Sequence, residues 1–175
     1  MNFKLKSSKT IFRGRVFDLK VDEIIYNSGN PGIREVAIHN GGAVIVPVTE
    51  EGKIIFIRQF RYPLQMPLLE LPAGKLEKGE DPFVCAVREL QEETGYTSDD
   101  VTFLGSIFTT PGFCTEELFI YMAKNLIPGK PDREEGEQGM EVFEYSLKEI
   151  SQMIKTHEIK DAKTISGIYM TKLVM

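Results

Sequence analysis

The sequence contains few of the residues that build disulfide frameworks or nucleophilic active sites. Only two of its 175 residues are cysteine and two are histidine. Cys85 and Cys114 are too few for a disulfide framework and do not have the spacing of a metal site. His39 and His157 have no nearby Ser, Cys or His partner in the sequence for nucleophilic catalysis. These absences exclude a disulfide-stabilised scaffold and argue against a catalytic dyad or triad.

Long apolar runs and excess positive charge are missing as well. No run approaches the ~20 residues that span a bilayer, and the lysine-rich start lacks the apolar region of a signal peptide. We therefore expect no membrane partner and a cytoplasmic location. The net charge of −5 argues against a nucleic-acid partner, which would need a broad basic surface. A polyanionic substrate would have to be bound locally, by a metal ion and a few arginines.

The order of predicted elements indicates an α/β fold. We expect an N-terminal β region over residues 1–40, with a hairpin turn at 28–32, and a main domain over residues 41–175. Two β-rich runs, Ala43 to Val48 and Lys53 to Phe60, are predicted to form a second hairpin. The later strands and helices favour a mixed sheet with helices on both faces. The acidic segment from Pro128 to Gly139 is predicted to be a mobile loop.

Residues 74–96, which read GKLEKGEDPFVCAVRELQEETGY, carry the strongest signal in the chain. Asp81 and Pro82 are typical of a helix N-cap and its first position, and Gly95 can end the helix in a left-handed conformation. Apolar residues recur at helical spacing and predict a buried face: Phe83, Ala86, Val87 and Leu90.

Three carboxylates lie on one stripe of this helix. Glu89 and Glu93 are one turn apart, with Glu92 beside them, so their like charges repel unless a cation is bound. Oxygen ligands of this kind favour a hard divalent cation, Mg²⁺ first. Arg88, one turn before Glu92, can neutralise and orient that carboxylate through a bidentate contact. The alternative is an ordinary solvated helix face, which does not account for the two glycines and the arginine.

This pattern resembles the Nudix box, the metal-binding motif of hydrolases that cleave nucleoside diphosphates linked to another group. Every fixed polar and glycine position is present, with Tyr96 where an aliphatic residue is commoner. The resemblance implies a Nudix α/β/α sandwich with a mixed sheet. It also implies that Glu89, Glu92 and Glu93 hold Mg²⁺, or Mn²⁺ as a substitute, beside the substrate pyrophosphate, and that the carbonyl of Ala73 completes the shell.

Three stretches outside the box are similar to ADP-ribose pyrophosphatases: Arg58-Gln59-Phe60-Arg61, Glu70-Leu71-Pro72-Ala73-Gly74 and Pro111-Gly112-Phe113. The last lies fifteen residues past the box, where a proline marks the substrate class in that group. The resemblance implies that the substrate is contacted from a set of residues outside the helix: Arg34, Arg61, Glu70, Pro111, Gly112 and Glu116. It also implies that Arg58 pairs with Glu70, with an exposed surface salt bridge as the alternative.

The same resemblance implies a homodimer, with Arg15 or Phe17 near the partner's base pocket. It further assigns the catalytic base to the acidic loop, which offers Glu135 and Glu137, with Glu137 preferred. A simply solvated loop is the alternative. Glu92 is expected to act in catalysis as well as in metal binding.

The leading hypothesis is Mg²⁺-dependent hydrolysis of ADP-ribose to AMP and ribose 5-phosphate. The nearest alternative is the same chemistry on another nucleoside diphosphate sugar or a dinucleotide. A different class of function, a regulator that binds ADP-ribose without cleaving it, would fit a degenerate box, and the box is intact. An RNA-decapping enzyme would need a basic surface that this acidic chain lacks.

Overall fold

The structure is a computed structural model that describes residues 2–133 and 135–175. Its contacts divide the chain into two compact units. The N-terminal unit extends to Gly41 and includes Phe108–Glu117, whereas the second unit comprises Gly42–Ile107 and Leu118–Met175.

The N-terminal unit is an antiparallel sheet of three strands. They are β1 (Phe3–Arg13), β2 (Phe17–Tyr26) and β3 (Pro31–His39), paired in that order. The predicted β2–β3 hairpin is confirmed, because Gly29 adopts a φ of +88° and the Tyr26 amide donates to the Asn30 carbonyl at 2.9 Å. Every residue of β1 is exposed. The segment 108–117 joins this unit through the Ala37 amide, which donates to the Phe113 carbonyl at 2.7 Å.

The second unit contains nine strands and three helices among the described residues. The strands are β4 (Gly42–Pro47), β5 (Ile54–Arg61), β6 (Met66–Glu70), β7 (Ala73–Lys75), β8 (Tyr96–Thr97), β9 (Asp100–Phe108), β10 (Glu117–Lys124), β11 (Ile127–Pro128) and β12 (Glu141–Tyr145), of which β9 and β10 end and begin at the unit boundary. The helices are α1 (Pro82–Glu89), α2 (Leu147–Lys155) and α3 (Ala162–Val174).

These strands form a mixed α/β arrangement, as predicted. One sheet has the order β7-β4-β10-β9, in which β4 is antiparallel to β7 and parallel to β10. A second has the order β12-β5-β6, and β8 pairs with β11. Both α1 and α3 contact β4, whose residues are all buried. No helix in the described part of the chain has the length and apolar character needed to cross a membrane.

The predicted hairpin between β4 and β5 is wrong. The two strands belong to different sheets and share only one isolated bridge, between Val48 and Ile54. Strand β4 and the first half of β5, Ile54–Ile57, are apolar and buried on both faces, so each strand pairs with partners distant in sequence rather than with its neighbour. The connecting turn alone does not determine strand pairing.

The helix within residues 74–96 begins and ends where it was predicted to. The Asp81 side chain accepts from the Phe83 amide, Pro82 follows, and Gly95 adopts a φ of +81°. Its last turn, Leu90–Thr94, is π-helical rather than α-helical. Ala86 and Leu90 are fully buried, but Phe83 is exposed, so the predicted buried face is wrong at that residue. Phe83 nevertheless keeps an edge contact with the ring of Tyr121 on β10, at 6.0 Å between centroids.

Candidate active site

The site in the second unit is built around two carboxylates that are almost fully removed from water. Glu89 is 7% exposed and Glu93 is 1% exposed. Glu89 comes from the end of α1 and Glu93 from the π-helical turn that follows. Strand β7 contacts α1. A Cβ atom at Gly74, within β7, would stand only 1.6 Å from Glu89 Oε1, so glycine is required for the carboxylate to occupy this place.

Burial makes both carboxylates weak acids. It raises the pKa of Glu89 to about 7, despite the opposing charge and hydrogen bond of Arg88. Burial and repulsion from Glu89 raise the pKa of Glu93 to about 9. A divalent cation would stabilise the ionised form of both carboxylates, because its charge offsets their repulsion and replaces the solvation that they have lost. The donor set therefore fits Mg²⁺ or Mn²⁺.

The Arg88 guanidinium donates hydrogen bonds to three carboxylates, those of Glu80, Glu89 and Glu92. Its Nη1 donates to Glu89 Oε1 at 2.7 Å and to Glu92 Oε2 at 2.8 Å, so the predicted contact with Glu92 forms, but through one nitrogen rather than two. The other side of the guanidinium faces Glu80, with Nε at 3.2 Å from Oε1. The Glu80 carboxylate also accepts from Arg88 Nη2 at 3.4 Å and from the Glu77 amide at 2.8 Å.

The main chain of Ala73 lies against Glu93, whose Oε2 accepts from the Ala73 amide at 2.9 Å. The residues expected to hold a metal, Ala73, Glu89, Glu92 and Glu93, therefore belong to one neighbourhood. Within residues 2–133 and 135–175, however, no three or more Asp, Glu, His or Cys side chains are already gathered as a coordination shell.

A third buried carboxylate, Glu70, lies at the end of β6, the strand that leads into this neighbourhood. Arg61 binds it with both arms of its guanidinium: Nε donates to Oε1 at 2.8 Å and Nη2 to Oε2 at 2.6 Å. Lys163 also donates to Glu70 Oε2. Burial alone would raise the pKa of Glu70, but the hydrogen bonds from Arg61 and the charge of Lys163 outweigh it and hold the pKa below its usual range.

The predicted pairing of Arg58 with Glu70 is wrong. In the register of β5 and β6, Ile57 lies opposite Glu70 and Arg58 lies opposite Leu69. Side chains alternate between faces along a strand, so Arg61 shares a face with Glu70 and Arg58 does not. Arg58 instead donates to Glu141 at 3.0 Å and stacks over the ring of Phe143.

The start of α3 also contributes to this site, although none of its residues was predicted to be a site residue. Asp161 caps α3 by accepting from the Thr164 amide and also receives Lys163 Nζ at 2.9 Å. The Thr164 hydroxyl accepts from the Leu71 amide at 2.9 Å. The start of α3 thus holds both Glu70 and the residue after it. The contacts of Lys163 with Glu70 and of Thr164 with Leu71 each join residues 93 positions apart, so no local pattern predicted them.

The acidic loop carries the two candidate bases on a short 3-10 turn, Glu135–Glu137. Glu137 is half-buried, and its charge contributes to raising the pKa of both Glu89 and Glu93. Glu135 is exposed and is not among the leading causes of either pKa shift. The structure therefore relates Glu137 electrostatically to the buried carboxylates.

Four of the predicted substrate residues, Arg34, Pro111, Gly112 and Glu116, lie in the N-terminal unit. Arg34, Gly112 and Glu116 line a cleft of about 650 Å³ whose walls are largely apolar. Pro111 precedes Gly112 in the same loop but does not line the cleft. Arg34 donates to the Tyr26 hydroxyl at 2.6 Å, and Glu116 accepts from the Thr109 hydroxyl at 2.6 Å. Arg61 and Glu70 belong to the second unit and are bound to each other.

A family model described as the NUDIX domain matches residues 39–167, which is most of the chain. The chain belongs to the Nudix family. The helix of Glu89, Glu92 and Glu93 is therefore its Nudix helix.

Relatives from two bacilli cover almost the whole Nudix chain. The ADP-ribose pyrophosphatase of Bacillus subtilis (strain 168) is 39% identical over 171 residues, 97% of this chain and 92% of the relative. The methanol dehydrogenase activator of Bacillus methanolicus is 40% identical over 176 residues, 98% of this chain and 94% of the relative.

A solved structure described as an ADP compounds hydrolase has the same fold. It superposes with a TM-score of 0.87 at 21% identity, and covers 98% of this chain and 93% of that chain. The α/β/α Nudix architecture is confirmed, and the protein is a Nudix hydrolase. The interpretation as a non-catalytic regulator is not retained.

Proposed function

We propose that this Nudix hydrolase cleaves the pyrophosphate bond of ADP-ribose, in a Mg²⁺-dependent reaction, to AMP and ribose 5-phosphate. The observation that carries the proposal is the buried pair Glu89 and Glu93, held beside Gly74 and the main chain of Ala73. The B. subtilis ADP-ribose pyrophosphatase supports the choice of substrate, since it matches this chain along nearly all its length.

In this proposal Glu89, Glu92, Glu93 and the carbonyl of Ala73 hold the cation, with Mn²⁺ as a substitute for Mg²⁺. When bound, the cation neutralises the pyrophosphate and lowers the pKa of the attacking water. Arg88 donates to Glu89 at 2.7 Å and to Glu92 at 2.8 Å, and its positive charge limits the repulsion between these two carboxylates. Its fixed position keeps both carboxylates turned toward the same side of the helix.

Glu137 of the acidic loop is assigned the role of general base, which accepts the proton of the attacking water. Glu137 is the loop carboxylate whose charge acts on Glu89 and Glu93, whereas Glu135 is exposed and is the second choice. A carboxylate placed at hydrogen-bonding distance from the water contributes ~10²- to 10⁴-fold to such a step.

Substrate recognition is assigned to two groups of residues. Arg61, which is 39% exposed while Glu70 fixes its guanidinium, presents a positive charge for a phosphate or the terminal sugar. The apolar cleft of the N-terminal unit, with Arg34, Gly112 and Glu116 in its lining and Pro111 beside it, suits a nucleoside. An Arg34→Ala variant is expected to raise KM more than it lowers kcat.

A panel of substrates tests the proposal. The protein is incubated with Mg²⁺ and ADP-ribose, other nucleoside diphosphate sugars and dinucleotides, and the products are resolved by chromatography. Preferential release of AMP and ribose 5-phosphate from ADP-ribose supports it. Faster cleavage of another nucleoside diphosphate sugar or of a dinucleotide would replace the substrate and keep the mechanism.

A second candidate function comes from the B. methanolicus relative, which is named for activating methanol dehydrogenase and is 40% identical to this chain. Its test adds the protein, or its Glu93→Gln variant, to a methanol dehydrogenase assay. A rate increase that is lost in the variant would support this function and link it to the carboxylate site. An unchanged rate would exclude it.

A further inference from the structure

The acidic loop is attached to the Nudix helix through the main chain of the helix. The last carbonyls of a helix have no partner within it and must be satisfied by other groups. Here the Glu92 carbonyl accepts from the Asp132 amide at 3.1 Å. The Glu93 carbonyl accepts from Arg133, from Nε at 3.1 Å and from Nη2 at 2.9 Å. Both carbonyls belong to residues whose side chains are proposed metal ligands.

The same guanidinium also closes the loop on itself. Arg133 Nη1 donates to the Met140 carbonyl, so a single rigid group contacts the helix and the far end of the segment that contains Glu135–Glu137. The Arg133 carbonyl accepts from Gln138 Nε2 at 2.9 Å, and the Met140 amide donates to the Glu137 carbonyl at 2.9 Å. Arg133 thus connects the chain before the turn that carries Glu137 with the chain after it.

The fit at the helix end is close. Gly95 adopts a φ of +81°, and a Cβ there would stand 2.8 Å from the Pro131 nitrogen. A displacement of residues 131–133 would therefore be transmitted to the π-helical turn. Because Glu93 is part of that turn, the position of the loop and that of the buried carboxylates are mechanically linked.

We propose that Arg133 is a positioning residue, which sets the place of the loop carboxylate relative to Glu93. It does not touch the reacting atoms and acts through Glu137. The inference rests on the proposed function, in which Glu137 accepts the proton of the attacking water. A guanidinium is required because three N–H groups of fixed geometry make the contacts, which a lysine ammonium cannot reproduce together.

Kinetics of an Arg133→Gln variant test the proposal. We expect kcat for ADP-ribose to fall by about 10- to 100-fold, within the range of a misplaced general base, while KM and the Mg²⁺ dependence change less than about threefold. Arg133→Lys should not restore kcat. The matched control is Lys130→Gln, which removes a charge from the same loop and should leave kcat unchanged, since no hydrogen bond or ion pair of the Lys130 side chain occurs among the described residues.

A double variant separates positioning from mere stabilisation. If Arg133 acts through Glu137, Arg133→Gln added to a Glu137→Gln protein should lower kcat less than about threefold further, because the group that it positions is already gone. A full additional loss, equal to that in the wild-type background, would overturn the proposal. So would an unchanged kcat in the single variant.

Hydrogen exchange provides a readout that needs no turnover. In Arg133→Gln, the amides of residues 135–140 should exchange about 10-fold faster or more, and in Lys130→Gln they should not. Unchanged protection in Arg133→Gln would show that Arg133 does not hold the loop in place and would overturn the proposal. If wild-type protein does not cleave ADP-ribose but the exchange result is as expected, the proposed function fails and the attachment of the loop by Arg133 stands.

Discussion

Gly74 lies so close to the Glu89 carboxylate that one methyl group would occupy its place. A Cβ would be 1.6 Å from Glu89 Oε1, and the backbone on both sides is held in β7. We therefore predict that Gly74→Ala lowers kcat/KM for ADP-ribose by about 10²-fold or more, since a displacement of about 1 Å can have that effect. Gly139→Ala is the control, because a Cβ there meets nothing within 4 Å. Equal activity of the two variants would contradict the assignment of Glu89.

Glu70 is predicted to make stability depend on acid pH. Its pKa is lowered in the folded protein by Arg61 and Lys163, which outweigh the effect of burial. A carboxylate with a depressed folded pKa stabilises the fold above its unfolded pKa of about 4.3, and this stabilisation is lost as pH falls through the folded pKa. Urea unfolding of wild-type protein should therefore show a decline in the free energy of unfolding below about pH 4.5.

Replacing this carboxylate tests the same network at neutral pH. Glu70→Gln should lower the free energy of unfolding by about 2–3 kcal/mol, toward the low end for a broken buried pair because Arg61 reaches solvent. Its acid decline should be smaller than that of the wild type. Glu141→Gln, which breaks the exposed pair with Arg58, should cost less than about 1 kcal/mol. Similar losses from both variants would refute the distinction.

At the level of single residues, the sequence identified the chemistry better than the partners. It singled out Arg58, Arg61 and Glu70 together, yet assigned Glu70 to the wrong arginine. The choice depends on which face of β5 each side chain occupies, and that follows from the β5–β6 register. The contact of Lys163 with Glu70 could not be predicted for another reason, since it joins residues 93 positions apart.

Among the elements, α2 has a complete capping box. The Ser146 hydroxyl accepts from the Glu149 amide, and the Glu149 side chain accepts from the Ser146 amide at 2.8 Å. Ser146→Ala should lower the free energy of unfolding by about 1 kcal/mol, whereas Ser146→Thr, which keeps the hydroxyl, should retain most of it. Urea denaturation of the three proteins measures both values. A loss in Ser146→Thr as large as that in Ser146→Ala would contradict the role of the cap.

Element ends were predictable because their signals are local. Asp81 caps the helix that it was predicted to cap, and Gly95 has the expected left-handed backbone. Sheet partners were not predictable in the same way: β4 pairs with β7 and β10 through contacts distant in sequence. The π-helical turn at Leu90–Thr94 contains no proline or glycine, so no local signal predicted it.

For the whole molecule, the exposed first strand supports the proposed homodimer. All of β1 is exposed, including the large apolar side chains of Leu5 and Ile11. An unpaired edge of this length is a template for association with another chain. We predict that sedimentation shows a dimer and that a Leu5→Glu/Ile11→Glu variant shifts it toward monomer. Tyr62→Glu, at an exposed residue of the second unit, is the control. A wild-type monomer would contradict this proposal.

The division of the chain into two units was only partly foreseeable. The sequence marked the end of the N-terminal region near residue 40, but nothing in it indicated that Phe108–Glu117 would group with that region. This association depends on hydrogen bonds of Ala37 with Phe113 and Thr115, which no local pattern encodes. The Nudix helix, by contrast, is contiguous, and its carboxylates were identified from spacing alone.

The most direct test of the central claim is a Mg²⁺ titration of ADP-ribose hydrolysis by protein freed of metal with a chelator. The account predicts no AMP release without a divalent cation and a saturable increase with Mg²⁺ or Mn²⁺. It also predicts a loss of about 10²-fold or more in Glu93→Gln, whose buried carboxylate is gone. Hydrolysis at an equal rate without added cation, or at an unchanged rate in Glu93→Gln, would contradict the account.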